Sequence, residues 1–135
     1  MSETVIATIL FADLMNSTEL AKNLTLLEYN EMLVDFQSTV YEVVSHHLPH
    51  YGYRDSGTDS EWSISGDELR LFLFSGKVRF DIRNALLIAA KIKLAWLASD
   101  FNQKVLREGR LVARIGIGIN CGPNPAKPVI SSPAQ

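Results

Sequence analysis

The chain has a single cysteine, Cys121, so no internal disulfide can form and a reducing compartment is expected. It has no apolar run near the ~20 residues of a membrane span. Its first residues, Met1 to Phe11, lack the basic opening and small-residue cleavage site of a signal peptide. Proline is sparse in the body of the chain: Pro49 stands alone before Gly122, and the other four lie at or beyond Pro123. Neither sign of charge dominates. With 13 Lys and Arg against 15 Asp and Glu, the net charge of -2 speaks against a broad nucleic-acid surface, though a local phosphate site is permitted. There is no internal repeat. At 135 residues and 47% hydrophobic content, one domain can bury roughly two-thirds of its unfolded surface. These limits predict a cytoplasmic domain over 1–122 with a Pro-rich tail or continuation over 123–135, and no nucleic-acid or membrane partner.

Along that body, residues 4–12 are apolar and β-branched and read as a buried strand. Asn16 stands three before Glu19, a capping-box spacing that predicts a short helix to about Asn23. Thr25 and Glu28 repeat the signal. Tyr29, Met32, Leu33, Phe36, Val40, Val43 and Val44 then form one apolar stripe of a long helix, expected to end near Leu48, before Pro49. Residues 51–60 read as an exposed loop. A hairpin is expected from Glu61 to Ser75, turning at Gly66-Asp67 with type II′ geometry. Asp81 is placed to cap a second long helix with Ile82, Ala85, Ala89, Ile92 and Trp96 on one face, and Leu111 to Ile119 reads as the last strand. The order β-α-α-β-β-α-β predicts an α+β fold of the ferredoxin-like, palm-type plan: an antiparallel sheet with helices on one face.

That plan gives meaning to two aspartates. Asp13 closes the first strand and Asp67 lies in the hairpin turn, positions where a core has no use for a carboxylate. In the ferredoxin-like order the first strand lies antiparallel beside the third, so the two acids share one edge of the sheet. They repel unless a divalent cation lies between them, the arrangement of magnesium sites in phosphoryl chemistry. The amides of Met15, Asn16, Ser17 and Thr18, opening the first helix, are expected to face the same edge as a phosphate cradle. Cation and cradle together predict a nucleoside triphosphate site.

The run Thr8-Ile-Leu-Phe-Ala-Asp-Leu-Met-Asn-Ser-Thr18 resembles the first metal-binding motif of class III nucleotide cyclases. Gly66-Asp67 falls where that family carries its second metal aspartate, and Arg114 to Pro123 is similar to its later strand and glycine turn. The resemblance covers about residues 4–123. It implies a nucleotidyl cyclase working as a homodimer with two Mg2+ or Mn2+ ions, held by Asp13, Asp67 and the carbonyl of Leu14. It also implies conversion of a nucleoside triphosphate to a 3′,5′-cyclic nucleotide and pyrophosphate. Purine cyclases usually carry a base-reading lysine four residues before the second aspartate, where this chain has Ser63. Adenine is therefore not the expected base, and guanylate cyclization or the uridylate and cytidylate cyclization of bacterial antiphage signalling is. The family's transition-state Asn and Arg lie past the glycine turn and have no counterpart in 123–135, so the catalytic residues are unassigned and the chain is expected to be incomplete for activity. Two alternatives stand beside this reading. One is a non-catalytic remnant that binds nucleotide or dimerises. The other is a diguanylate cyclase-like palm domain, suggested by Ser65-Gly66-Asp67-Glu68 but lacking the Asn-Ser-Thr context.

Other polar clusters invite blander readings. His46, His47 and His50 sit at the end of a helix, which favours cations there without a metal. Asp55, Asp59 and Glu61 lack the glycine position of an EF-hand loop. Arg54, Arg70 and Arg114 are possible phosphate or base contacts, with Arg70 expected chiefly as a surface ion-pair partner.

Overall fold

A computed structural model describes residues 6–54 and 56–123. Its elements are β1 (Ile6–Leu14), α1 (Ser17–Asn23), α2 (Leu26–His50), β2 (Ser60–Ser65), β3 (Glu68–Leu73), α3 (Val78–Leu97), α4 (Asp100–Arg107) and β4 (Ile115–Pro123). The strands form one antiparallel sheet in the order β2-β3-β1-β4, the predicted plan with one helix added. Alternation along the strands sends Leu10, Ala12, Leu14, Leu69, Leu71 and Leu73 to a buried face. There they meet Met32, Phe36, Val40 and Val44 of α2 and Ala85, Ile88, Ile92 and Trp96 of α3. Phe36 and Trp96 pack edge to face at 5.7 Å, joining the two long helices over the sheet. Among the described residues, no helix packs on the opposite face of the sheet, which carries Phe11, Asp13, Ser63 and Arg70.

Local predictions held or failed for identifiable reasons. Thr25 and Glu28 form the expected reciprocal cap of α2. Asn16 does not cap with its side chain; it takes the left-handed conformation (φ 55°, ψ 37°), which asparagine tolerates better than most residues. α2 runs past Pro49 to His50, because the amides of Tyr51, Gly52 and Tyr53 still find carbonyls in the last turn. Asp81 is not a cap but a buried side chain inside α3, which starts at Val78. It accepts hydrogen bonds from the Tyr53 hydroxyl and from the Ser75 amide and hydroxyl. The loop before β2 is accordingly not all exposed: Tyr53, Asp59 and Ser60 are buried, and Asp59 accepts the Arg54 amide.

The region between α3 and β4 departs most from expectation. Ser99 caps a short α4 that buries Phe101, Asn102 and Val105. Asn102 donates to the Trp96 carbonyl (2.7 Å) and accepts from the Ala113 amide (3.0 Å), while the Trp96 indole donates to the Ala113 carbonyl (2.9 Å). Ala113 is thereby fully engaged by helices, so the strand predicted from Leu111 begins only at Ile115. It continues to Pro123 because β1 offers partners as far as Ile6. Of the tail assigned to 123–135, only Pro123 lies within the described residues.

His47 shows how a buried polar group sets its own protonation. The Asn84 amide donates to the Phe80 carbonyl at 2.9 Å, so its oxygen faces His47 Nε2 at 2.7 Å. Nε2 therefore carries the proton, and Nδ1 accepts from the Lys91 ammonium at 2.9 Å. Burial, then the charges of Lys91 and His50, hold the imidazole below its ordinary pKa of 6.5, against the opposing Asn84 bond. The unfolded chain takes up a proton that the folded chain resists. This stabilising term is therefore complete above pH 6.5 and is lost as pH falls through the lowered value. Urea unfolding midpoints measured through this range should drop with acidification, and His47→Gln should flatten that dependence.

Candidate functional site

β1 ends between two partners. In register, Asp13 stands opposite Glu68 of β3 on one side and Gly116 of β4 on the other. The Leu14 amide donates to the Asp67 carbonyl at 3.1 Å, tying the strand end to the β2–β3 turn. That turn has Gly66 at φ 58°, followed by Asp67 with φ not positive, which is the predicted type II′ arrangement. Gln37 of α2 reaches across to donate to the Gly66 carbonyl at 2.7 Å, so the helix layer holds the turn from the other side. The fold thus brings Asp13 and Asp67 to one edge of the sheet.

The electrostatics record the proximity. Asp13 is exposed at the strand end, yet partial desolvation, then the negative charges of Asp67 and Glu68, push its carboxyl above the ordinary value. Gly116 leaves room for this crowding: a Cβ there would lie 3.2 Å from Met15 Cγ and 3.4 Å from Asp13 Oδ1. Sequence reasoning singled out neither Glu68, Gly116 nor Gln37 for this site. Glu68 was visible beside Asp67, and the alternation Gly116-Ile-Gly118 signals a bare sheet face. Gln37 carried no signal, since its contact spans 29 positions.

The expected phosphate cradle is smaller than its sequence suggested. The Met15 amide donates to the Arg114 carbonyl at 2.9 Å and is not free. α1 has seven residues, which leaves the amides of Asn16, Ser17 and Thr18 in the turn beside Asp13 as the remaining part of that set. Arg114 itself lines a cavity of about 290 Å3 with Met15, Lys93 and Trp96, next to the acidic edge.

Ser63 lies exposed on β2, opposite Arg70 of β3. The two share a polar groove of about 240 Å3 with Ser65, Asp67 and Glu68, so Ser63, where a base contact is expected, and Asp67 open into one space. Arg70 donates to Glu68 at 2.5 Å, the ion pair expected of it. Arg54 pairs instead with Asp59 at 3.6 Å and takes no part in this groove. His46, His47 and His50 line a separate groove between α2 and α3. Among the described residues, no three carboxylate, imidazole or thiol groups are grouped to hold a metal ion.

Removing the charge of Asp67 should relieve Asp13. In Asp67→Asn, a carboxyl titration followed by NMR should find the Asp13 pKa lower than in the parent. It should remain above the ordinary 3.8, because burial and Glu68 persist. An unchanged Asp13 titration would mean that the two groups do not interact.

No family model matches the chain, and no curated protein matches it. Solved structures do. A guanylyl cyclase, Cya2, superposes with a TM-score of 0.66 at 22% identity, over 90% of this chain and 55% of its own. The adenylyl cyclase CyaB from P. aeruginosa gives 0.67 at 17% identity, over 90% and 58%. An EAL/GGDEF domain protein from M. capsulatus gives 0.55 at 22% identity, over 91% and 66%. The chain spans a little over half the length of the two cyclase structures. With four helices and an open, four-stranded antiparallel sheet among its described residues, this chain is similar in fold to the nucleotide cyclase domains.

Proposed function

We propose that this chain forms the metal- and triphosphate-binding part of a nucleotide cyclase site. The observation that carries the reading is the meeting of Asp13 and Asp67 at one sheet edge, where the charge of Asp67 raises the cost of ionising Asp13. Like charges placed together at a strand end weaken the fold and are expected where chemistry needs them. The donor set fits a hard divalent cation: two carboxylates with the carbonyl of Leu14, all oxygen, suit Mg2+ or Mn2+ rather than zinc. Bound there, such ions supply Lewis-acid polarisation of the phosphate and activation of the attacking ribose hydroxyl.

The protein's own residues then divide the remaining work. Asp13 and Asp67 orient the cations from two different elements, and the amides of Asn16, Ser17 and Thr18 take phosphate oxygens. Arg114, with its neighbours at the adjoining cavity, offers a cation to the distal phosphates. Ser63 reads the base from the shared groove. A serine hydroxyl is short and uncharged, so position 63 lacks the long cationic donor of a purine-reading lysine, and Arg70 in the same groove is paired with Glu68; we assign a substrate base other than adenine. The fold is shared with an EAL/GGDEF protein, which favours a diguanylate-type reading as the alternative. The Asn16-Ser17-Thr18 run after Asp13 supports the cyclase reading over it.

Calorimetry should detect binding of a manganese–nucleoside triphosphate, and Asp13→Ala or Asp67→Ala should each abolish it, since one carboxylate cannot hold hard cations against a polyphosphate. Both variants binding as tightly as the parent would remove the site assignment. Incubating the longest available form of the protein with each of the four triphosphates and Mn2+, followed by mass analysis, should give a cyclic nucleotide other than cyclic AMP as the main product. A profile dominated by cyclic AMP would overturn the role given to Ser63.

A further inference from the structure

α3 is unlike the other helices in how its outer side is composed. Its inner side is core: Ala85, Ile88, Ile92 and Trp96 are buried. Its one acid, Asp81, is also buried and is held by Tyr53 and Ser75. The outer side and its lead-in residue expose five cations, Lys77, Arg79, Arg83, Lys91 and Lys93, and no carboxylate. Among the described residues none of the five forms an ion pair with an acid; Lys91 donates to His47 instead. By contrast α2 contains no Lys or Arg, and the chain as a whole is slightly acidic. Four apolar side chains stand out between these cations: Val78 is 39% exposed, Leu86 57%, Leu94 70% and Leu97 51%.

We propose that this face of α3 docks on the surface of an anionic phospholipid bilayer. A basic helix with projecting aliphatic side chains is the composition of an interfacial helix, lying in the headgroup plane rather than crossing it. No helix of the described residues is long and apolar enough to cross a membrane. The interleaving favours lipid over a folded partner. A protein interface has a core depleted in charge, especially lysine, inside a polar rim. Here Arg79, Arg83 and Lys93 alternate with the leucines, so no charge-free core exists. A fluid bilayer tolerates that pattern, because Arg and Lys can extend to the phosphates while isolated leucines enter the acyl boundary. Arg79 and Arg83 also flank a shallow groove of about 440 Å3 with Ile82, Leu86 and Leu87, where guanidinium groups beside aliphatic surface complement a lipid phosphate beside its acyl chains. Docking by this face leaves the sheet face opposite α3 open, while Lys93 and Leu97 at its C-terminal end also line the cavity beside the acidic edge.

Vesicle co-sedimentation tests the proposal. The parent protein should bind vesicles of phosphatidylcholine mixed with phosphatidylglycerol and not phosphatidylcholine alone, and added salt should weaken that binding. Free inorganic phosphate at matched ionic strength should not compete. Losing two cations should weaken binding by roughly 30-fold, about fivefold for each. Arg79→Gln/Arg83→Gln therefore tests the charges with little risk to folding, which circular dichroism checks. Leu86→Ser/Leu94→Ser keeps every charge and should also weaken binding, which bare electrostatic adsorption would not. Absence of binding to the anionic vesicles, equal binding to both vesicle types, or parent-like binding by the folded Gln pair overturns the proposal. So does finding the face covered by an acidic protein while the anionic vesicles remain unbound.

Discussion

The structure depends on β1 being hydrogen-bonded on both sides. A central strand paired antiparallel with β3 and with β4 has its register set twice, and a slip of one residue would turn Leu10, Ala12 and Leu14 out of the core. That double constraint carries Asp13 to a defined point beyond the buried layer. It also delivers the hairpin turn and the start of β4 to the same point, since both are counted from β1. The Leu14-to-Asp67 and Met15-to-Arg114 hydrogen bonds extend the two ladders to that edge. The proximity of the acids is thus a consequence of strand pairing rather than of any contact between their side chains.

The helix layer holds this edge from behind. Gln37 anchors the turn that carries Asp67, and the Trp96–Asn102–Ala113 network fixes where β4 may begin. Each group in that network is buried and satisfied, so removing one partner leaves another without a hydrogen bond, at a cost of about 1–3 kcal/mol. The Asp81 cluster acts likewise at the opposite end of α3, where a buried carboxylate without a cation is made tolerable by three donors. Polar groups in the core of this domain therefore serve to place backbone. Asp13 at the sheet edge differs in kind, since partial desolvation and the charges of Asp67 and Glu68 act together on it, and among the described residues no hydrogen bond relieves them.

The two sides of the sheet are accordingly free for different tasks. The helix-covered side is where hydrophobic burial stabilises the domain. The uncovered side, with Phe11, Ser63, Arg70 and the glycines of β4, keeps space next to the acidic edge. Gly116 belongs to this side for a steric reason: a Cβ there would crowd the Met15 side chain and sit in contact with the Asp13 carboxylate. α3 presents most of its outer surface away from both, and only Lys93 and Leu97 near its end reach the cavity beside the edge.

The sequence by itself determined the strand–helix order, the apolar stripe of α2, the Thr25–Glu28 cap and the Gly66-Asp67 turn, because each rests on contacts within a few residues. From that order alone the sharing of one edge by Asp13 and Asp67 followed, since few topologies fit it. What only the tertiary structure decided were features in which distant groups compete for the same backbone or side chain. Asn102 takes Ala113 from the sheet and shortens β4. Asp81 is drawn inward by Tyr53 and Ser75 instead of capping α3. Arg114 claims the Met15 amide that a phosphate was expected to meet, and Gln37 reaches a turn 29 positions away. Periodicity is blind to such choices, because they are made by whichever donor lies nearest once the core has closed.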